Sequence, residues 1–343
     1  MSAEGTPDHG NQPAATIFEV AEAAGVSITT ISHVYSGNRP ISERTRRHVL
    51  ETAERLNYHP HRNARARATG RTMTLALLFS FRDLETVLNP YYAMLLPAMS
   101  ATAVELGYTF ALVPGGPDRD AFVKPLIAGR TVDGAVVLDP RRGDPFVREL
   151  VRAEIPFVSA GRFLDQDAGC WVDNDQDRIC AEVVAHLAAQ GYERVAMITL
   201  APDISYTSDL IVSFSRRVPD GRIAVTANLT QNAGFEAAAG LLSERPRPDA
   251  LFCINDQLAL GALLAARERG VRVPGDVAVV GVCDTVLATH AEPPLTSVRV
   301  HPERIGRLLV ATIDDALRAG SAAPATLVPA KLVVRRSSNR AGG

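Results

Sequence analysis

Residues 27–35, SITTISHVY, carry polar side chains at a spacing that can do recognition chemistry. On a helix turning about 100° per residue, Thr29 and His33 fall one turn apart, on the face opposite Ile31. Thr30 and Ser32 flank that face, and Ser27 precedes it as a helix cap. A threonine hydroxyl and an imidazole can hydrogen-bond the edges of base pairs, and Ile28 can touch a thymine methyl. Thr30 and Ser32 can donate to phosphates. Downstream, Arg62, Arg65 and Arg67 add guanidinium groups suited to a polyanion.

The elements that must position these groups are three short helices. Thr16 and Glu19 form a T-x-x-E capping box that starts a helix through about Ala24, with Val20, Ala21 and Ala24 facing inward. Gly25 supplies the positive φ of a tight turn. The second helix, 27–35, turns Val26, Ile31 and Val34 inward. Asn38-Arg39-Pro40 makes a loop, and Ser42 caps a third helix ending near Leu56, with Val49, Leu50, Ala53 and Leu56 inward. Such a trio is also the pattern of a small helical bundle with no nucleic-acid role.

Charge distribution favours the nucleic-acid reading. Residues 16–71 hold nine arginines and no lysine against five glutamates, a net +4 within a chain of net −2. Residues 1–15 add two acids, which leaves net −4 for residues 72–343. A basic head on an acidic body points to a head that meets a polyanion. The four cysteines show no C-x-x-C spacing, which predicts buried thiols in a reducing compartment rather than a disulfide framework or zinc site. The first fifteen residues are polar, with no apolar signal segment, and no apolar run is long enough to span a bilayer, so the expected location is cytoplasmic.

From Thr74 the pattern changes to short β-rich runs alternating with helical stretches. The runs are Leu75–Phe81, Tyr108–Val113, Gly134–Leu138, Pro156–Ala160, Val195–Leu200, Ile223–Ala227, Ala250–Ile254 and Val277–Val282. Gly107, Gly191 and Gly270 sit where helices should end. This alternation predicts an α/β fold of two doubly wound parallel-sheet subdomains, with ligand in the cleft at the carboxyl ends of the strands.

The motif V-A-x-x-A-G-V-S-x-x-T-x-S-H-V-Y-S-G, followed by I-S-x-x-T-R and L-N-Y-H-P, resembles the head of LacI/GalR (lactose-repressor) family regulators. The resemblance implies a helix-turn-helix head with its recognition helix at 27–35. It makes Ile28, Thr29 and His33 base readers, and Ser27, Thr30, Ser32 and Asn38 backbone contacts. His33 offers one ring edge rather than the two-pronged fork of an arginine, so guanine preference should be weaker than in arginine-bearing relatives. Segment 61–69 is similar to the family's hinge helix, which pairs with its copy in the minor groove and wedges a leucine into a base step. Here Asn63 and Arg67 stand where leucines are expected. The alternative for this strip is a basic disordered linker.

Several body stretches resemble the family's sensor region, itself similar to periplasmic sugar-binding proteins. They include Asn89-Pro90-Tyr91-Tyr92, Val172-Asp173-Asn174, Asn255-Asp256-Gln257-Leu258-Ala259-Leu260-Gly261 and Pro293-Pro294-Leu295-Thr296-Ser297-Val298. The implied organisation is an extension at 1–15, a head at 16–58, a hinge at 59–73 and a periplasmic-binding-protein-like body at 74–340. Within the body, subdomain one takes about 74–170 and 299–325, and subdomain two takes 171–298 and 326–340. Tyr91, Tyr92, Asn255 and Asp256 match effector-cleft positions, although the tyrosines could be core and Asp256 could cap a helix. Leu210, Leu229 and Cys283 stand where relatives carry an arginine, an aromatic platform and an aspartate. Their substitution predicts an effector less polar than a sugar, or none.

No P-loop, H-E-x-x-H or G-x-S-x-G motif is present, and Gly115-Gly116 lacks the rest of a dinucleotide fingerprint. The expectation is a DNA-binding regulator, most simply a repressor, with no catalytic or metal residues and no cofactor. Its partners would be a palindromic operator, a small-molecule effector and a second copy of itself. The segment Leu332–Gly343 shows no leucine heptad, so a dimer rather than a tetramer is expected. The alternative from another class is a solute-binding protein or sugar-handling enzyme with the same body. Losing two leucines removes roughly 1.5–3 kcal/mol of burial per side chain from the hinge pair, and arginines favour a narrow minor groove instead. The operator should therefore be only weakly bent in a circular-permutation assay. A sharp central kink that Arg67→Ala leaves unchanged would refute this.

Overall fold

The computed structural model describes residues 15–36, 39–58, 71–79, 89–113, 119–165, 170–321 and 324–340. The chain divides into two units, residues 1–73 and 74–343.

The first unit is built on helices α1 (Ile17–Ala24), α2 (Ile28–Ser36) and α3 (Glu43–Arg55). The capping box at Thr16 and Glu19 is formed, and Gly25 ends α1 in the left-handed region at φ 62°. Ser27 Oγ accepts from Thr30 N–H at 3.1 Å, and Ser42 Oγ from Thr45 N–H at 3.2 Å, so each later helix has its predicted cap. Val20, Ala21, Ala24, Ile31, Val34, Val49, Ala53 and Tyr58 close one small core. Leu50 departs from its predicted inward place and is 39 % exposed. The buried stripe of α3 runs through Val49, Thr52 and Ala53, and Leu50 lies about 100° away from Val49 around the axis. Thr52 enters the core because its hydroxyl is satisfied by His48 O at 2.8 Å.

The second unit contains two six-stranded sheets. The first has the order β2-β1-β3-β4-β5-β11, from β1 (Thr74–Phe79), β2 (Thr109–Val113), β3 (Gly134–Leu138), β4 (Phe157–Ala160), β5 (Cys170–Asn174) and β11 (Thr326–Val328). The second has the order β7-β6-β8-β9-β10-β12, from β6 (Val195–Leu200), β7 (Arg222–Thr226), β8 (Ala250–Cys253), β9 (Ala278–Val282), β10 (Thr296–Arg299) and β12 (Lys331–Val333). All pairings are parallel except β10 with β12. Strands β3, β6, β8 and β9 are buried along their whole length. This is why they read as unbroken apolar runs rather than alternating ones.

Helices cover both sheets. In the first subdomain these are α4 (Pro90–Glu105), α5 (Arg119–Ala128), α6 (Pro145–Arg152) and α12 (Pro302–Ala319); in the second they are α7 (Gln176–Ala189), α8 (Ser205–Arg217), α9 (Gln231–Ser243), α10 (Asp256–Glu268) and α11 (Val286–His290). Strand placement moves the crossings between subdomains from the expected positions near 171, 298 and 325. Residues 170–174 and 326–328 pair within the first sheet, so the chain crosses just after Asn174, near Val300, and at Pro329-Ala330. The Asn174 side-chain amide binds these crossings together. It is buried, and it donates to Val300 O at 3.2 Å and Val328 O at 2.8 Å.

Helices α9 and α10 cross at Gly234 and Gly261. A Cβ on Gly261 would collide with Gln231 O and Phe235 N, whereas one on Gly240 would meet nothing. Gly261→Ala should therefore lower stability by about 1–3 kcal/mol through overpacking. Gly240→Ala should be neutral or stabilising by up to about 1 kcal/mol. Urea denaturation of the two variants checks the contrast, and equal midpoints would contradict it.

Candidate functional site: a recognition helix and an inter-subdomain cleft

The head presents the predicted stripe on α2. Ile31 and Val34 are buried, so the residues opposite them face outward: Ser27, Ile28 and Thr29 are exposed, and Thr30, Ser32 and His33 are half-exposed. Ile28 is an apolar side chain 40 % exposed at the N-terminal end of the helix, a position from which it can touch a base methyl. Arg39, Arg44, Arg46, Arg47 and Arg55 are also exposed. Asn38, Arg62, Arg65 and Arg67 lie outside the described residues.

In the body, a cavity of about 90 Å³ lies where the carboxyl ends of both sheets face each other. This is the position the parallel topology provides for ligands. It is small against the roughly 300–1,000 Å³ of a typical ligand site, so anything beyond a few heavy atoms requires the subdomains to part. Tyr91, Tyr92, Leu210, Leu229, Asn255 and Cys283 all reach its wall. Asp256 does not. The N-cap of α10 is Asn255, whose Oδ1 accepts from Leu258 N–H at 2.8 Å. Asp256 is turned inward to accept from Thr285 N–H at 2.7 Å, Thr285 Oγ at 2.8 Å and Ser297 Oγ at 2.5 Å. It thereby fastens the loop that carries Cys283. Cys283 itself sits at φ 103°, a conformation that costs a side-chain-bearing residue strain.

The two walls differ. Leu210, Leu229, Ile254, Val282 and Cys283 make the second subdomain's wall mostly apolar, as their residue types predict. The first subdomain brings Asp139 and Asp173, which the sequence reading did not place there. Asp139 follows Leu138 directly at the end of β3, and that position past a strand's carboxyl end was the available signal. Asp173 lay within a motif whose side-chain direction only the fold sets. Tyr206, from α8, was also missed.

Burial governs the electrostatics. The Asp139 carboxyl is pushed up to about 6 by burial, opposed by the Tyr92 hydroxyl that donates to it and by nearby Arg141. Asp173 is pushed up to about 7 by burial, opposed by hydrogen bonds from Asn174 N–H at 2.7 Å and Gln176 Nε2 at 3.0 Å. Burial likewise lifts the phenols of Tyr91, Tyr92 and Tyr206 well above their ordinary range. At the mouth, Arg141 pairs with Asp203 and Arg162 with Asp209, and Arg141 bridges Ile204 through its backbone. Each ion pair joins one subdomain to the other. Both are partly solvated and contribute about 0–1 kcal/mol, so they can hold the cleft closed without locking it.

A carboxyl whose folded pKa exceeds the unfolded value favours folding at low pH and loses that contribution as pH rises through the folded pKa. Asp173→Asn removes this titration. The variant's melting temperature relative to the wild type should rise between pH 4 and pH 7.5, and a pH-independent difference would overturn the assignment.

Residues 16–61 match the family described as bacterial regulatory proteins, lacI family, and residues 184–338 match the periplasmic binding protein-like domain. The chain is 32 % identical over 333 residues to the HTH-type transcriptional regulator CelR of Thermobifida fusca, covering 94 % of this chain and 98 % of that one. It is 30 % identical to catabolite control protein A of Priestia megaterium, covering 82 % and 86 %. Among solved structures, the CelR–cellobiose complex superposes with a TM-score of 0.72 at 29 % identity, covering 94 % and 99 %. The lac repressor dimer bound to operator and the anti-inducer ONPF superposes with a TM-score of 0.80 at 23 % identity, covering 95 % and 99 %, a likeness of fold. With a helix-turn-helix head, a two-subdomain body and relatives matched over nearly its full length, this chain belongs to the LacI family of DNA-binding transcriptional regulators.

Proposed function

We propose that the protein acts as a cytoplasmic repressor, without catalysis, binding a palindromic operator as a dimer under control of a small molecule in the cleft. The exposed face of α2, backed by buried Ile31 and Val34, carries this reading. Ile28, Thr29 and His33 read base edges in the major groove, while Ser27, Thr30, Ser32 and Asn38 bond phosphates. Arg62, Arg65 and Arg67 follow the backbone or enter the minor groove. One recognition helix covers only a half-site, so a two-fold dimer doubles the contact.

Ligand control follows from the body. Tyr91, Tyr92, Asn255, Leu210, Leu229 and Cys283 line the space an effector would fill, and Asp256 positions the Cys283 loop. An effector that prefers one closure state shifts the subdomains and thereby operator affinity, a coupling typically of ~1–3 kcal/mol. The acidic wall changes the expected ligand. Asp139 and Asp173 put carboxylate acceptors on that wall, so the ligand carries hydrogen-bond donors on one side and hydrocarbon on the other.

The test is a gel shift with palindromic duplexes drawn from the protein's own genome. Binding should weaken steeply with salt, as phosphate contacts require. Thr29→Ala and His33→Ala should each cost roughly 1 kcal/mol, the net worth of one hydrogen bond. Light scattering should give a dimer mass. Salt-independent binding, or a protein indifferent to every duplex, would sink the proposal.

A further inference from the structure

Among the described residues, the cleft lining is acidic and carries no base. Asp139 and Asp173 are the charged side chains there, and the remainder of that lining is phenol, amide, thiol, backbone and hydrocarbon. The arginines at the mouth are engaged with other carboxylates, Arg141 with Asp203 and Arg162 with Asp209. Asp173 Oδ1 accepts from Asn174 and Gln176. Its second oxygen faces Gly161, 3.6 Å from where a Cβ would stand. Ser205 Oγ approaches the same point to 2.6 Å; it is fully buried and has no hydrogen-bond partner. Both atoms flank Gly161, and of the two residues only Asp173 lines the cavity.

Three aromatic rings border this space. Tyr91 and Tyr92 meet edge to face with centroids 5.2 Å apart, and Tyr206 joins them from the other subdomain. Electron-rich rings attract an ammonium group. Burial disfavours the charge on both carboxylates, Arg141 and Arg162 offset it only from the mouth, and a cation bound between the two acids would remove more of that cost. A neutral polyol would find acceptors here but would bring no charge to offset theirs.

We infer that the effector is a small organic ammonium compound. Its cationic head lies between Asp139 and Asp173 against the tyrosine rings. Its hydrocarbon part rests on Leu210, Leu229 and Cys283. This rests on the reading of the cleft as an effector site of a DNA-binding regulator, and it names the ligand class that reading leaves open.

The experiment is calorimetry of the full-length protein with n-butylammonium, n-butanol and butyrate at matched ionic strength. These three probes share a chain and differ in head charge. The ammonium should bind at least tenfold more tightly than the alcohol, and butyrate should give no heat of binding. Asp139→Asn and Asp173→Asn should each weaken the ammonium at least tenfold while the n-butanol signal persists, which also reports an intact cavity. An alcohol that binds as well as the ammonium, an ammonium that gives no signal at 10 mM, or variants that bind the ammonium unchanged would overturn the inference. A wild-type protein that shifts operator DNA but ignores the ammonium fails this inference alone. One that shifts no DNA fails the regulator reading itself.

Discussion

The amide of Asn174 sets the constraint on which the body depends. The chain passes between the two subdomains three times, and Asn174 Nδ2 donates to a carbonyl at each of the other two crossings, Val300 and Val328. Burial makes both bonds matter, because an unpaired amide or carbonyl in that position would cost about 1–3 kcal/mol. The crossings are therefore held as one bundle.

The walls are arranged so that closure has consequences. Tyr206, Leu210 and Cys283 of one subdomain face Tyr91, Asp139 and Asp173 of the other across the cavity, and two carboxyls are buried there. The cost of that desolvation opposes closure, and the mouth pairs Arg141–Asp203 and Arg162–Asp209 offset part of it. A balance between terms of about one kcal/mol each is what a ligand can tip. Cys283, at φ 103° in a loop fastened to Asp256, stands on the cavity wall, so backbone strain is kept at the lining of the cleft.

Much of this was legible in residue order. The eight apolar runs all became strands; six of them lie inside the sheets, where parallel strands buried on both faces need no alternation to be recognised, and β2 and β7 stand at the edges. Strands β5, β10, β11 and β12 escaped notice for different reasons. β5 alternates, with Trp171 and Asp173 half-exposed, and β11 and β12 are three residues each. Such short pieces are strands only because a neighbouring edge is present to pair with them. The same holds for the crossings: that 326–328 completes the first sheet and 331–333 the second is a matter of which edge each segment meets.

Sequence alone determined the head: the T-x-x-E box, Gly25, the serine caps and the inward spacing of Val20, Ile31 and Val49 are local rules, satisfied within a few residues of one another. It also determined that Leu210, Leu229 and Cys283 would make one wall of the cleft apolar, since residue type suffices once the positions are matched. Tertiary structure alone decided the charge of the opposite wall. Asp139 follows β3 and Asp173 stands on β5, and only the sheet order that seats β3, β4 and β5 side by side brings both to one cavity. Tertiary structure likewise decided that Asn255 faces the cleft while Asp256 turns away, because the partners that draw Asp256 inward, Thr285 and Ser297, come from distant parts of the chain. Side-chain direction at a strand or helix end depends on what waits on each side, and no local rule contains that.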